Sequence, residues 1–234
     1  MLRTTRRWCM VVWALALFGC ATGPSNVVIH SSPYLTVWLT VDPRAGSGHS
    51  HPFIMTPEAV TTVLNGVHIE DRDTITGMGF FGSRNGNPAF TQAEMATLSL
   101  YLAEALKKAS PKDMATFYMV VGDANHRRSI TSGGLFIEAN RRLHLMLANC
   151  RSVPTGGQDY TSAMEVDTRD EPLLPVSPHR FAVRFQPVDA GVKSSKSNDV
   201  PSFPAYGSVY EDPAKSIIID LDRLFEHRDT PSSP

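Results

Sequence analysis

The sequence predicts an α+β fold: a largely antiparallel sheet of about five to seven strands with two main helices packed on one face. Three observations carry this. Two segments with helical caps and helical apolar spacing, near residues 56–66 and 91–109, come before most of the strand-like segments. From about residue 116 onward the apolar residues mostly alternate, with turn residues between the runs. No repeating strand-helix-strand unit is visible, so the helices are expected to cover a sheet and not to cross between parallel strands.

Leu35 to Val41 alternates apolar and other residues and reads as the first strand. A polar, Gly-containing loop follows from Asp42 to Pro52. Thr56-Pro57-Glu58 then opens a helix, with Thr as cap and Pro at the first helical position. Ala59, Val60, Val63 and Leu64 form its apolar face, and Gly66 suits its exit. Val67 to Glu70 reads as a short strand, and Gly77 to Pro88 as a Gly- and Asn-rich loop. Thr91-Gln92-Ala93-Glu94 is a capping box, in which Thr and Glu satisfy each other's backbone donors. It opens a helix running through Leu98, Tyr101, Leu102, Ala105 and Leu106 to about Ala109.

Thr116 to Val121, Gly134 to Glu138 and Arg142 to Asn149 read as strands, the last two joined by a tight hairpin at Ala139-Asn140-Arg141. Both faces of Arg142 to Asn149 look covered, which predicts a central strand. Phe181 to Phe185 and Ser216 to Leu221 supply later strands, and a short helix follows at Asp222 to His227, capped by Asp222. The connections at 152–178 and 187–213 are long, and loops of that length are functional or disordered. A single domain is thus expected over 34–228, with a frayed tail at 229–234.

The N-terminus has its own pattern: basic Met1 to Arg7, an apolar stretch from Trp8 to Phe18, then Gly19-Cys20-Ala21. Basic, apolar and small-residue parts in that order make an export signal. The apolar stretch is shorter than the ~20 residues of a membrane span. Leu17-Phe18-Gly19-Cys20 resembles the lipobox of bacterial lipoproteins, although the family usually has a smaller residue at the Phe18 position. The resemblance implies cleavage of residues 1–19, a diacylglycerol on the sulfur of Cys20 and a further N-acyl lipid there. Two or three acyl chains, at roughly 0.8 kcal/mol per buried methylene, hold a protein on a membrane stably. Ala21, being no aspartate, points in Gram-negative lipoproteins to the outer membrane facing the periplasm. Arg6-Arg7 is similar to a twin-arginine signal, but Cys9 and Met10 fit its following positions poorly, so ordinary export is expected. Residues 20–33, rich in Ser, Pro and Thr, read as a lipidated N-terminus and tether.

Cleavage removes three arginines and no acids, leaving 19 basic against 23 acidic residues and a formal charge of −4. Such a balance gives no footprint for nucleic acid. With Cys9 removed and Cys20 acylated, Cys150 stands alone, so no internal disulfide stabilises the domain. About 215 mature residues suffice for one substantial core.

Few residues suggest chemistry. His49 and His51, two apart in an extended segment, point the same way and form a candidate zinc or copper site if a third ligand joins them. Gly48-His49-Ser50-His51-Pro52 imitates a hydrolase elbow, but Pro52 replaces its last glycine and Ser50 follows no strand-to-helix turn. Gly77 to Gly82 spells the dinucleotide fingerprint without a helix at its third glycine; Phe80 and Phe81 within it are a candidate partner contact. Cys150 reads as a buried thiol, too far along its strand from His144 for that histidine to act as its base. Asp220 with Asp222, and Glu165, Asp167, Asp170 and Glu171 in a loop, are the acidic groupings.

The expected function is therefore that of a lipid-anchored envelope protein, a non-enzymatic module that binds another envelope protein. A metal-binding protein or metal-assisted hydrolase using His49 and His51 is the alternative, and a small-ligand carrier the second.

Overall fold

The computed structural model describes residues 26–71, 86–122, 128–154, 168–178, 180–192 and 212–226. Its elements in chain order are β1 (Val27–Ser31), β2 (Leu35–Val41), α1 (Pro57–Asn65), β3 (Val67–Asp71), β4 (Asn87–Pro88), α2 (Gln92–Lys108), β5 (Asp113–Gly122), β6 (Arg128–Glu138), β7 (Arg142–Ser152), β8 (Phe181–Phe185), β9 (Gly191–Val192), β10 (Ser216–Asp220) and α3 (Leu221–Glu226). A seven-stranded sheet has the order β1-β2-β5-β6-β7-β10-β9, every neighbouring pair antiparallel. β4, β3 and β8 form a second, three-stranded antiparallel sheet. The class is α+β with a mostly antiparallel sheet.

Both main helices begin where the sequence places them. Thr56 accepts a hydrogen bond from the Ala59 N–H, and the Thr91–Glu94 capping box is complete, with Glu94 accepting from the Thr91 N–H at 2.6 Å. Val60, Val63 and Leu64 of α1 and Leu98, Leu102 and Leu106 of α2 are buried against Val37, Phe117, Leu135, Leu145 and Ile219 of the large sheet and Val67, Phe181 and Phe185 of the small one. One continuous core thus lies on the helix side. At the exit of α1, Gly66 is in the right-handed helical region, so no left-handed conformation demands a glycine here. Close approach does: a Cβ at Gly66 would lie 2.5 Å from the Phe185 ring and from the Gln186 carbonyl oxygen.

The other face of the sheet is also covered. Met114, Met146 and Ala148 pack with Phe136 and Leu173, and Trp38, Tyr118 and Ile130 with Val120 and Val176. Leu173 and Val176 belong to the connection before β8, which Asn149 fastens down. The buried Asn149 amide donates to Ser132 Oγ and to the Leu174 carbonyl, both at 2.8 Å, and its oxygen accepts from the Val176 N–H at 2.8 Å. β7, between β6 and β10, is the central strand its two apolar faces predict.

Three expectations need correction. The tether does not extend to residue 33, because Val27–Ser31 is already the outermost strand, paired with β2 across a bulge between Val28 and His30. Its inner side is held by Ile29 in the core and by His30 stacked on Tyr101 of α2, with ring centres 3.7 Å apart. The connection at 187–213 contains β9, paired with β10. Asp220, not Asp222, receives the Arg223 N–H at the start of α3, while Asp222 pairs with Arg141 at 2.6 Å. The 152–178 connection is, in its described part, a cover for the sheet.

Candidate functional site

Among the described residues, the richest grouping of titratable side chains lies at the end of the large sheet where β2 finishes and β5 begins. The pairing of β5 with β6 stops at Ala115 and Leu135, although β5 begins at Asp113 and β6 runs on to Glu138. The loop after β2 fills the space this leaves. Asp42 starts it with a turn, its carboxylate accepting from the Arg44 N–H at 2.8 Å and its carbonyl from the Ala45 N–H at 3.1 Å, with Pro43 between. Gly48, at φ +102°, then turns the chain so that the His49 N–H donates to the Pro111 carbonyl and the Ser50 N–H to that of Ile137. The Ile137 N–H donates in turn to Nε2 of His51 at 3.4 Å.

Both histidines are therefore buried in what the sequence shows only as a polar loop. His49 donates from Nε2 to Oδ2 of the buried Asp42 at 2.9 Å, and its ring stacks on Phe136 at 4.0 Å between centres. Phe136 stacks on its other side with His144, across the β6–β7 hairpin, at 4.7 Å. Glu138 lies 2.9 Å from Nε2 of His144. Burial lowers the His144 pKa against the opposing pull of Glu138, with His49 and Arg142 adding to the lowering.

His51 is held more firmly in its neutral form. Burial first, and His49 second, push its pKa down to about 4, against the pull of Asp113. Because Nε2 accepts, the neutral ring carries its proton on Nδ1, a buried atom with no hydrogen-bond partner among the described residues.

The rings of His49 and His51 stand edge-on with centres 5.9 Å apart. Each directs Nε2 at a partner within the protein, and no group of three His, Cys, Asp or Glu among the described residues is arranged to hold a metal ion. Ser50 is exposed. Cys150 is buried, its thiol donating weakly to the Ala89 carbonyl at 3.9 Å, and burial pushes its pKa up to about 11. Asp170 and Glu171 are exposed. Cys20, Gly77 to Gly82 with Phe80 and Phe81, Glu165, Asp167, His126 and His179 lie outside the described residues. Asp42, Phe136 and Glu138 are the members that sequence reasoning misses.

Elsewhere the buried Lys215 donates from Nζ to the Ala148 carbonyl at 3.2 Å and lies 4.7 Å from the centre of the Phe181 ring. Like the histidine cluster, it fastens a connecting segment to the sheet. Among known proteins, no family model, no curated sequence and no solved structure matches the chain. Among the described residues, no helix is long and apolar enough to cross a membrane.

Proposed function

We propose that the chain is a lipid-anchored protein of the bacterial cell envelope, held through Cys20 on the periplasmic side of the outer membrane, and that its folded domain is a non-enzymatic module binding another envelope protein. The observation that carries this reading is the position and surface of β1. It follows Cys20 by only seven residues, forms the outer edge of the large sheet, and leaves Val27 and Val28 more than half exposed (52% and 55%) and Tyr34, in the turn that follows, 71% exposed. An open edge offers unpaired backbone groups and alternate side-chain contacts to an extended segment of a partner. The bulge beside Val28 shortens the usable ladder, which favours one short, specific segment over indiscriminate pairing.

The histidine cluster supports the non-enzymatic part of the reading, since its hydrogen bonds hold the β2–α1 loop to β6. Photocrosslinking in intact cells tests the whole. A crosslinking side chain at Val28 or Tyr34 is expected to give one discrete adduct with an envelope protein, absent when the group is at Asp170. Membrane-bound protein giving no adduct from either edge position would overturn the partner-binding reading.

A further inference from the structure

The anchor proposed above has a consequence for orientation, which rests on that reading and extends it. From Cys20 to Val27 the chain reaches at most ~25 Å when fully drawn out. The sheet from the level of Val27, opposite Leu39 and hence Ala115, to Gly122 of β5 spans about the same distance at ~3.4 Å per residue. Resting the far end of the sheet on the bilayer would consume all of that reach. Resting the near end needs almost none.

The two ends also differ in chemistry. At the near end are the end of β2 with Val41 exposed, the loop after it, the C-terminus of α2 and the β6–β7 hairpin. Ile54, just after the loop, is 80% exposed, the most exposed large apolar side chain among the described residues. The neighbouring Phe53 donates its N–H to the Leu106 carbonyl, which places Ile54 beside the last turn of α2. At the same end are the exposed Lys107, Lys108 and Lys112 between α2 and β5 and Arg141 and Arg142 at the hairpin, with Glu104, Glu138 and Asp222 as exposed acids among them. Lys108 pairs with Glu104 and Arg141 with Asp222, whereas Lys107, Lys112 and Arg142 make no ion pair among the described residues. At the opposite end, near the β1–β2 turn, the charges are mixed, with the exposed Asp170 and Glu171 beside Arg169, which donates to the Pro33 carbonyl, and the exposed Arg128 opposite Gly122.

We infer that the near end is a membrane-resting face, with Ile54 entering the headgroup layer of the bilayer and Lys107, Lys112 and Arg142 meeting anionic lipid phosphates. An exposed apolar side chain at the end of the sheet that also carries these lysines suits an interface where acyl chains and phosphates lie a few ångströms apart. Neither contact needs to hold the protein alone, because the acylated Cys20 keeps the face at high local concentration over the lipid. The face leaves the edge of β1 pointing sideways, open to a partner.

The full, lipidated chain in vesicles of phosphatidylethanolamine and phosphatidylglycerol tests this. Cys150 is buried and Cys20 acylated, so an environment-sensitive fluorophore goes to a newly introduced cysteine, Ile54→Cys or, for comparison, Asp170→Cys. Position 54 is expected to show blue-shifted emission and quenching by spin-labelled lipid, and position 170 neither. Quenching at 54 should fall when phosphatidylglycerol is omitted or when Lys107→Glu and Lys112→Glu are combined. An acylated, vesicle-bound chain with position 54 unquenched, or with 170 quenched equally, would overturn the inference alone. A chain without acyl groups that does not float with vesicles would overturn the anchor and the inference together.

Discussion

Nε2 of His51 takes the backbone N–H of Ile137, filling with a side chain the hydrogen-bonding place that β5 leaves open at the end of β6. Only the neutral imidazole can do so, since the protonated ring has no acceptor. The fold holds the His51 pKa at about 4, below its ordinary 6.5, so between those values the unfolded chain binds the proton that the folded chain refuses. The contribution is complete above pH 6.5 and is lost as pH falls toward 4. It amounts to about 2 kcal/mol between pH 7 and 5. His144, also lowered, adds with the same sign. Urea unfolding at pH 7 and pH 5 should show this loss, and His51→Gln, which keeps an acceptor but does not titrate, should shrink it; an equal loss in both proteins would contradict the assignment.

Asp42→Ala removes the turn that begins the loop and strands the buried His49 ring without its carboxylate. Breaking a buried pair from one side costs about 3 kcal/mol. The expected result is a lower denaturation midpoint with the loop around 42–52 opened to limited proteolysis.

Asn149→Ala deletes three hydrogen bonds, two of which hold the 173–176 segment over Met146, Trp38 and Tyr118. We expect a loss of about 3 kcal/mol and faster amide exchange at Val176. Exchange there unchanged from the native chain would show that apolar contact alone holds the segment.

Metal content is the fourth check. With both Nε2 atoms engaged, the purified chain is expected to contain no stoichiometric zinc or copper. One equivalent of metal, lost in the combined His49→Ala, His51→Ala variant, would revive the metal-site reading of the loop.

Much of the fold was legible because its signals are local. The Thr56 and Thr91 caps mark both main helices, and the Ala139–Arg141 turn sets the β6–β7 register, so Phe136 falls opposite His144. β1 escaped because Val27–Ser31 is short, bulged and half exposed, and follows a Ser- and Pro-containing segment that reads as tether. The separate pairing of β3 with β8 was illegible because more than a hundred residues lie between the strands. His49 and His51 were visible as a pair, but their buried state was not. That depends on the β5–β6 pairing stopping at Ala115 and Leu135, two residues short of Ile137, which no local pattern records.

The proposed anchor is Cys20, and the first experiment is to measure the mass of the mature N-terminus. The prediction is a chain beginning at Cys20 with diacylglycerol on sulfur and an acylated amine, found with membranes, and a Cys20→Ser variant released from them. A native chain with an unmodified N-terminus, or a Cys20→Ser chain that stays with the membrane, would contradict it.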